Sequence, residues 1–101
     1  MKNKKMLRFL DKQWTEQVKK RDENICQVCG SKSKMLNAHH IIPKSYNETR
    51  HDLNNGITLC FKCHKVGKNG AHMNAIWFTL FLCQNKTSQF DYLIKKVVEL
   101  S

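Results

Sequence analysis

Long apolar stretches are missing from this 101-residue chain. The longest, residues 75–83, is interrupted by Thr79 and falls far short of the roughly 20 residues a bilayer-spanning helix needs. A secretory leader is not legible either: the opening lysines run into Asp11-Lys12-Gln13 rather than into an apolar segment with a small-residue cleavage site. Five cysteines, an odd number, exclude a complete disulfide framework within one chain. Internal repeats and linkers are lacking, so residues 1–101 are expected to form one domain. Acidic residues are scarce, eight Asp and Glu against eighteen Lys and Arg, for a formal net charge of +10. Such an excess favours a polyanionic partner held in a salt-dependent way, nucleic acid ahead of an anionic membrane surface. Together these features predict a small, basic, cytoplasmic protein.

What is present is organised by short-range patterns. Leu7, Leu10, Trp14 and Val18 recur at three- and four-residue steps, predicting an amphipathic helix over residues 7–20. Strand-like character follows over residues 35–42 until Pro43, the single proline, and residues 44–54 are polar and aperiodic, as in a loop. Asn55-Gly56 reads as a turn and residues 57–59 as a returning strand. From residue 73 to about 100 the pattern is helical, with Met73, Ile76, Trp77, Leu80 and Phe81 expected on one buried face. Phe90, Leu93, Ile94, Val97 and Val98 are expected to repeat that face after the polar break at 84–88. Cys83, within the first stripe and without a cysteine nearby, is expected to be a small buried hydrophobe.

The chemistry is concentrated between these helices. Cys26-x-x-Cys29 and Cys60-x-x-Cys63 are separated by thirty residues. A two-residue gap lets both sulfurs of a turn face one ion, so the four thiols are expected to hold one structural zinc that adds directly to folding. Two such pairs without a βαβ pattern argue against a redox dithiol. Between the pairs stands His39-His40, and His64 directly follows Cys63. On an extended segment adjacent side chains point to opposite faces, so His39 and His40 are expected to have different duties. One could face a metal held partly by His64 while the other faces water or substrate; replacement of a cysteine ligand, or simple phosphate contact, stays open. An unperturbed imidazole titrates near about 6.5, which suits it to take a proton from water at neutral pH.

Taken together, Val18-Lys19-Lys20-Arg21-Asp22, the Cys26 pair, Ala38-His39-His40-Ile41-Ile42-Pro43, Asp52-x-x-Asn55-Gly56-Ile57-x-Leu59 and Cys60-x-x-Cys63-His64 resemble an HNH endonuclease of the small, zinc-stapled kind common in phages and prophages. The resemblance covers about residues 15–78. It implies an α+β fold with a ββα-metal (His-Me finger) core over about residues 24–78, a four-cysteine structural zinc site and flanking helices. It further implies a DNA partner, no membrane partner, and one catalytic divalent ion, whether Mg, Mn, Ni, Co or Zn; a homodimer is allowed. Carried over by position, His40 matches the general base and Asn55 the residue that braces the base loop. His39 and His64 match metal ligands. His72 resembles an extra histidine of some members, a third ligand or a phosphate contact, against a plain helix-start histidine. Lys44, Arg50, Lys62, Lys65 and Lys68 flank the site as candidate phosphate contacts, and His51, in the polar loop, is expected to be solvated.

Overall fold

A computed structural model describes residues 3–33, 35–66 and 70–101. Helix α1 spans Lys4–Arg21, about a turn longer at its start than the apolar stripe alone predicts. The reason is its cap: the Asn3 side chain accepts the Met6 N–H at 2.8 Å, satisfying a donor that the first turn leaves open. Trp14 and Val18 are buried from the stripe, while Lys19, Lys20 and Arg21 crowd the negative end of the helix dipole. Glu23 and Asn24, both in the left-handed region (φ 57° and 55°), then turn the chain back toward the sheet.

Strands β1 (Leu36–His40) and β2 (Gly56–Cys60) form a two-stranded antiparallel sheet with His39 opposite Ile57 and His40 opposite Gly56. The link between them is not a tight hairpin. It is a loop over residues 41–55 ending in a 3-10 turn, Leu53–Asn55. Every residue of β2 is buried, because both faces of the strand are covered. Ile57 and Leu59 cluster with Phe78 and Leu82, whereas Gly56 lies against Trp14 and Val18 of α1. Arg21 donates to the Leu53 and Gly56 carbonyls at 2.7 and 2.8 Å, and the Asp22 carboxylate accepts the Thr58 N–H at 2.9 Å. The end of α1 is thereby tied to the start of β2.

After Cys60 the chain makes a π-helical turn, Lys62–Val66, then helices α2 (Ala75–Asn85) and α3 (Thr87–Leu100). The face buried by α2 differs from the expected one. Phe78 and Leu82 are buried and Trp77 and Phe81 partly so, while Met73, Ile76 and Leu80 are exposed. Residues 75–83 are apolar on all sides save Thr79, so periodicity could not select a face. Cys83 is likewise exposed rather than buried. On α3 Leu93 is buried and Phe90 packs against the core, but Ile94, Val97 and Val98 face outward. The helix is held to the 3-10 turn and the start of β2 through polar contacts: Gln89 donates to the Asn54 and Gly56 carbonyls, both at 2.8 Å, and the Tyr92 hydroxyl donates to Asp52. Among the described residues no helix is long and apolar enough to cross a membrane.

Gly56 is required by proximity rather than by a turn. Its backbone is extended (φ −128°), but a Cβ there would stand 2.5 Å from Val18 Cγ2 and 2.6 Å from Trp14 Cζ2. Gly56→Ala is expected to destabilise the fold by about 1–3 kcal/mol, the usual scale for overpacking a tight core. Denaturant unfolding checks this; an unchanged midpoint would contradict the close approach.

Candidate metal centres and cleft

Two ligand clusters meet at the adjacent residues Cys63 and His64. Cys26 and Cys29 lie in the turn after α1, where Gly30 takes a left-handed φ of 77° and its N–H returns to the Cys26 carbonyl at 2.8 Å. Cys60 closes β2 and Cys63 follows in the π-helical turn. The four sulfurs lie within 4.8 Å of one another, and Cys29 and Cys60 approach to 3.6 Å. A tetrahedral zinc with Zn–S near about 2.3 Å places its sulfurs roughly 3.8 Å apart, so the set fits. Burial pushes the Cys63 and Cys29 thiols up. Burial opposes ionisation at Cys26 too, but backbone donors at Cys29, Cys60 and Val28 outweigh it and bring that thiol to about 7. Four crowded sulfurs of this kind call for a shared cation.

The second cluster is His39, His64 and His72, each offering a nitrogen within 4.8 Å of the others. Nε2 of His64 and Nε2 of His72 are 3.0 Å apart, close to the separation of about 3.4 Å for imidazoles on one tetrahedral ion with Zn–N near about 2.0–2.1 Å. Nδ1 of His64 is buried without a hydrogen-bond partner. Two backbone bonds place His72 here: Ala71 N–H to the Cys63 carbonyl at 2.8 Å and His72 N–H to the His64 carbonyl at 3.1 Å. Burial, then the facing His64 and His72, hold His39 down to about 3. Burial, then His72 and Lys65, hold His64 at about 4. Both are therefore neutral at pH 7, with lone pairs available to a cation.

His40 points the other way, as strand alternation requires. Its ring stacks on Trp14 with centroids 3.8 Å apart and planes 9° from parallel. Its Nε2 lies 2.9 Å from the Arg50 carbonyl, and a carbonyl can only accept, so the proton of the neutral ring sits on Nε2 and the lone pair on Nδ1. Burial holds its pKa below the ordinary value. Asn55 is fully buried and clamps the loop that supplies that carbonyl. Its Oδ1 accepts the Ile42 N–H at 2.6 Å, and its Nδ2 donates to the Ile42 and Thr49 carbonyls at 2.9 and 3.1 Å. The two histidines of the doublet, with Lys44, His64, His72 and Phe78, line a cleft of about 520 Å³.

The family model for HNH endonucleases matches residues 26–70, from the first zinc-turn cysteine to just short of His72. That segment is similar to the HNH endonuclease family. No curated protein and no solved structure matched the chain significantly. The α+β architecture, with the histidine doublet on β1 and Asn55 in the turn that leads into β2, is that of the ββα-metal fold. The matched segment contains both cysteine pairs, the doublet, Asn55 and His64, while α1 and His72 lie outside it.

Several flanking residues behave differently from their sequence reading. Arg50 donates from Nε and Nη2, one edge of its guanidinium, to the Asp11 carboxylate of α1 at 3.0 and 2.7 Å, and so is engaged within the fold. His51 is not merely solvated: its Nε2 bonds Asp11 at 2.8 Å. Lys44 lines the cleft, and Lys44, Lys62 and Lys65 are all exposed. Lys68 lies outside the described residues. The periodic pattern assigned Trp14 only to the core, and nothing in it signalled that Asp11 and Trp14 reach the His40 loop.

Cys60→Ser is expected to abolish cooperative unfolding and zinc retention, because a structural site of this kind contributes folding energy outright. Metal analysis should find about one tightly held zinc per wild-type chain. A metal-free wild type melting cooperatively at the same temperature would contradict the staple. The Asp11 pair gives a second expectation. The Arg50 guanidinium, helped by His51 and opposed by burial, holds the Asp11 carboxyl down to about 2, below its ordinary 3.8. Its stabilisation is present above the ordinary value and is lost as pH falls through about 2. Asp11→Asn should cost about 1 kcal/mol at neutral pH, the scale of a partly exposed ion pair, and the difference should vanish at the acid end of a stability–pH series.

Proposed function

We propose that this protein is a metal-dependent DNA endonuclease that hydrolyses phosphodiester bonds, leaving 5′-phosphate and 3′-hydroxyl ends. The observation that carries this reading is the division of the doublet, with His39 turned into a three-imidazole cluster and His40 into a separate, half-buried setting with an available Nδ1. His40 is the general base: Nδ1 takes the proton of the attacking water, while Nε2–H stays on the Arg50 carbonyl and fixes the tautomer. Asn55 serves catalysis indirectly by holding the base loop closed.

His39, His64 and His72 would hold the catalytic cation, which when bound supplies positive charge beside the scissile phosphate. Three imidazoles suit Zn, Ni or Co, and also Mn, better than Mg, whose preferred ligands are oxygens. Lys44, at the cleft edge, with Lys62 and Lys65 is placed for phosphate contact, and the +10 charge draws the duplex in. Contacts of this kind bind the backbone and do not read bases. The four-cysteine cluster suits a reducing compartment, where thiols stay available to zinc.

Incubation with supercoiled plasmid across a metal series tests the reading. His40→Ala should fold, keep its zinc and bind DNA, yet cleave roughly 10²–10⁴-fold more slowly, the usual worth of a positioned base. His39→Ala, His64→Ala and His72→Ala should instead weaken metal binding and recover in part with excess Mn or Ni. The wild-type rate should rise with pH as His40 becomes neutral, and burial moves that rise below the ordinary histidine range. Undiminished cleavage by His40→Ala under every metal would refute the base assignment. DNA binding without any cleavage by the wild type would mark a silent binding module.

A further inference from the structure

Helix α1 lies outside the segment that carries the family motif, yet it reaches the His40 loop through two side chains. Trp14, 3% exposed, lies flat on the His40 ring and also donates its indole N–H to the Asp52 carbonyl at 2.8 Å. One helical turn earlier, Asp11 takes both guanidinium bonds of Arg50 and one from His51. The carbonyl of that same Arg50 receives the His40 N–H. Stacking constrains the plane of the imidazole, and the carbonyl constrains its rotation within that plane. Together the two holds set the direction in which Nδ1 points.

The space for this arrangement is made by Gly56, the cross-strand partner of His40. A side chain there would strike Trp14 and lift it off the sheet. Ordinary core packing needs neither a parallel overlap with a polar ring nor a bidentate carboxylate on the residue whose carbonyl holds that ring. We infer that Trp14 and Asp11 are positioning residues for His40, and that α1 is the brace of the catalytic base. This inference rests on the reading of His40 as the base. Neither residue touches substrate; both act through the aim of one nitrogen.

The test uses the full, zinc-loaded chain at saturating plasmid, comparing Trp14→Phe, Trp14→Leu and Asp11→Asn, each alone and combined with His40→Ala. Phenylalanine keeps a stacking ring but loses the indole N–H and one fused ring; leucine stays apolar, at a smaller volume, and loses the stack. Trp14→Leu should lower kcat by about 10–100-fold, the scale of a misaimed catalytic group, with KM and zinc content unchanged. Trp14→Phe should recover most of that loss, and Asp11→Asn should lower kcat by a smaller factor. Combined with His40→Ala, none should slow the residual rate further, since a brace has nothing left to aim.

Equal rates for Trp14→Leu and Trp14→Phe, or losses that multiply in full with that of His40→Ala, would overturn the inference. So would a loss confined to KM or zinc content. Should Trp14→Leu fail to fold, Asp11→Asn decides, since its loss lies outside the core and must vanish in the His40→Ala background. Undiminished cleavage by His40→Ala alone overturns the base assignment, and the brace with it, before any change at α1 is made.

Discussion

His40 stands opposite Gly56 in the two-stranded sheet, and the functional half of the molecule depends on that register. A strand sends successive side chains to opposite faces, so this pairing puts His39 toward Phe78 and the other histidines and His40 toward α1. A slip of one residue would exchange the two faces and put each imidazole in the other's setting. The glycine leaves the depth in which an indole can lie under the imidazole. One backbone pairing therefore decides both which histidine joins the cluster and what environment the other receives.

Around this pairing the protein uses polar side chains where a larger protein would use core. Asn55 is wholly buried, yet both ends of its amide are engaged with the loop backbone, so it carries no unsatisfied burial cost. Arg21, Asp22, Gln89 and Tyr92 tie α1, α3 and the 3-10 turn to one another across the start of β2. At 101 residues the apolar core is modest, and the cysteine cluster joins the post-helix turn to the end of β2 at one side of that core. The same turn that offers Cys63 to that cluster carries His64 into the second one, so the two clusters share one short piece of backbone.

Electrostatics separates the two histidine environments further. His39 and His64 are held neutral by burial first and then by the imidazoles beside them, which favours a cation within the cluster. His40 is half-buried against an indole and tied to a carbonyl through Nε2, so the lone pair of its neutral ring lies on Nδ1. The strongly basic chain surrounds a site whose buried imidazoles are uncharged at neutral pH, so the attraction for a phosphate backbone comes from outside the cluster.

The features legible in the sequence were those set by bonds only a few residues apart. Cys-x-x-Cys spacing, the opposite faces of adjacent histidines, and the stripe from Leu7 to Val18 each follow from local backbone geometry, and the structure has them all. Asn55 was placed by resemblance alone, and its three loop contacts became visible only once the loop was closed around it. Features decided by which surfaces meet were not legible. An evenly apolar α2 could bury any side, and it buried Phe78 and Leu82 because the sheet lay there, leaving Ile76, Leu80 and Cys83 outside. Asp11 meets Arg50 and His51 from some forty positions away, and Trp14 meets His40 across the sheet; no short-range pattern encodes either pairing. Local geometry determined the cysteine pairs and the histidine doublet as residue types, and tertiary packing decided where His40 points, because direction depends on contacts made between distant segments.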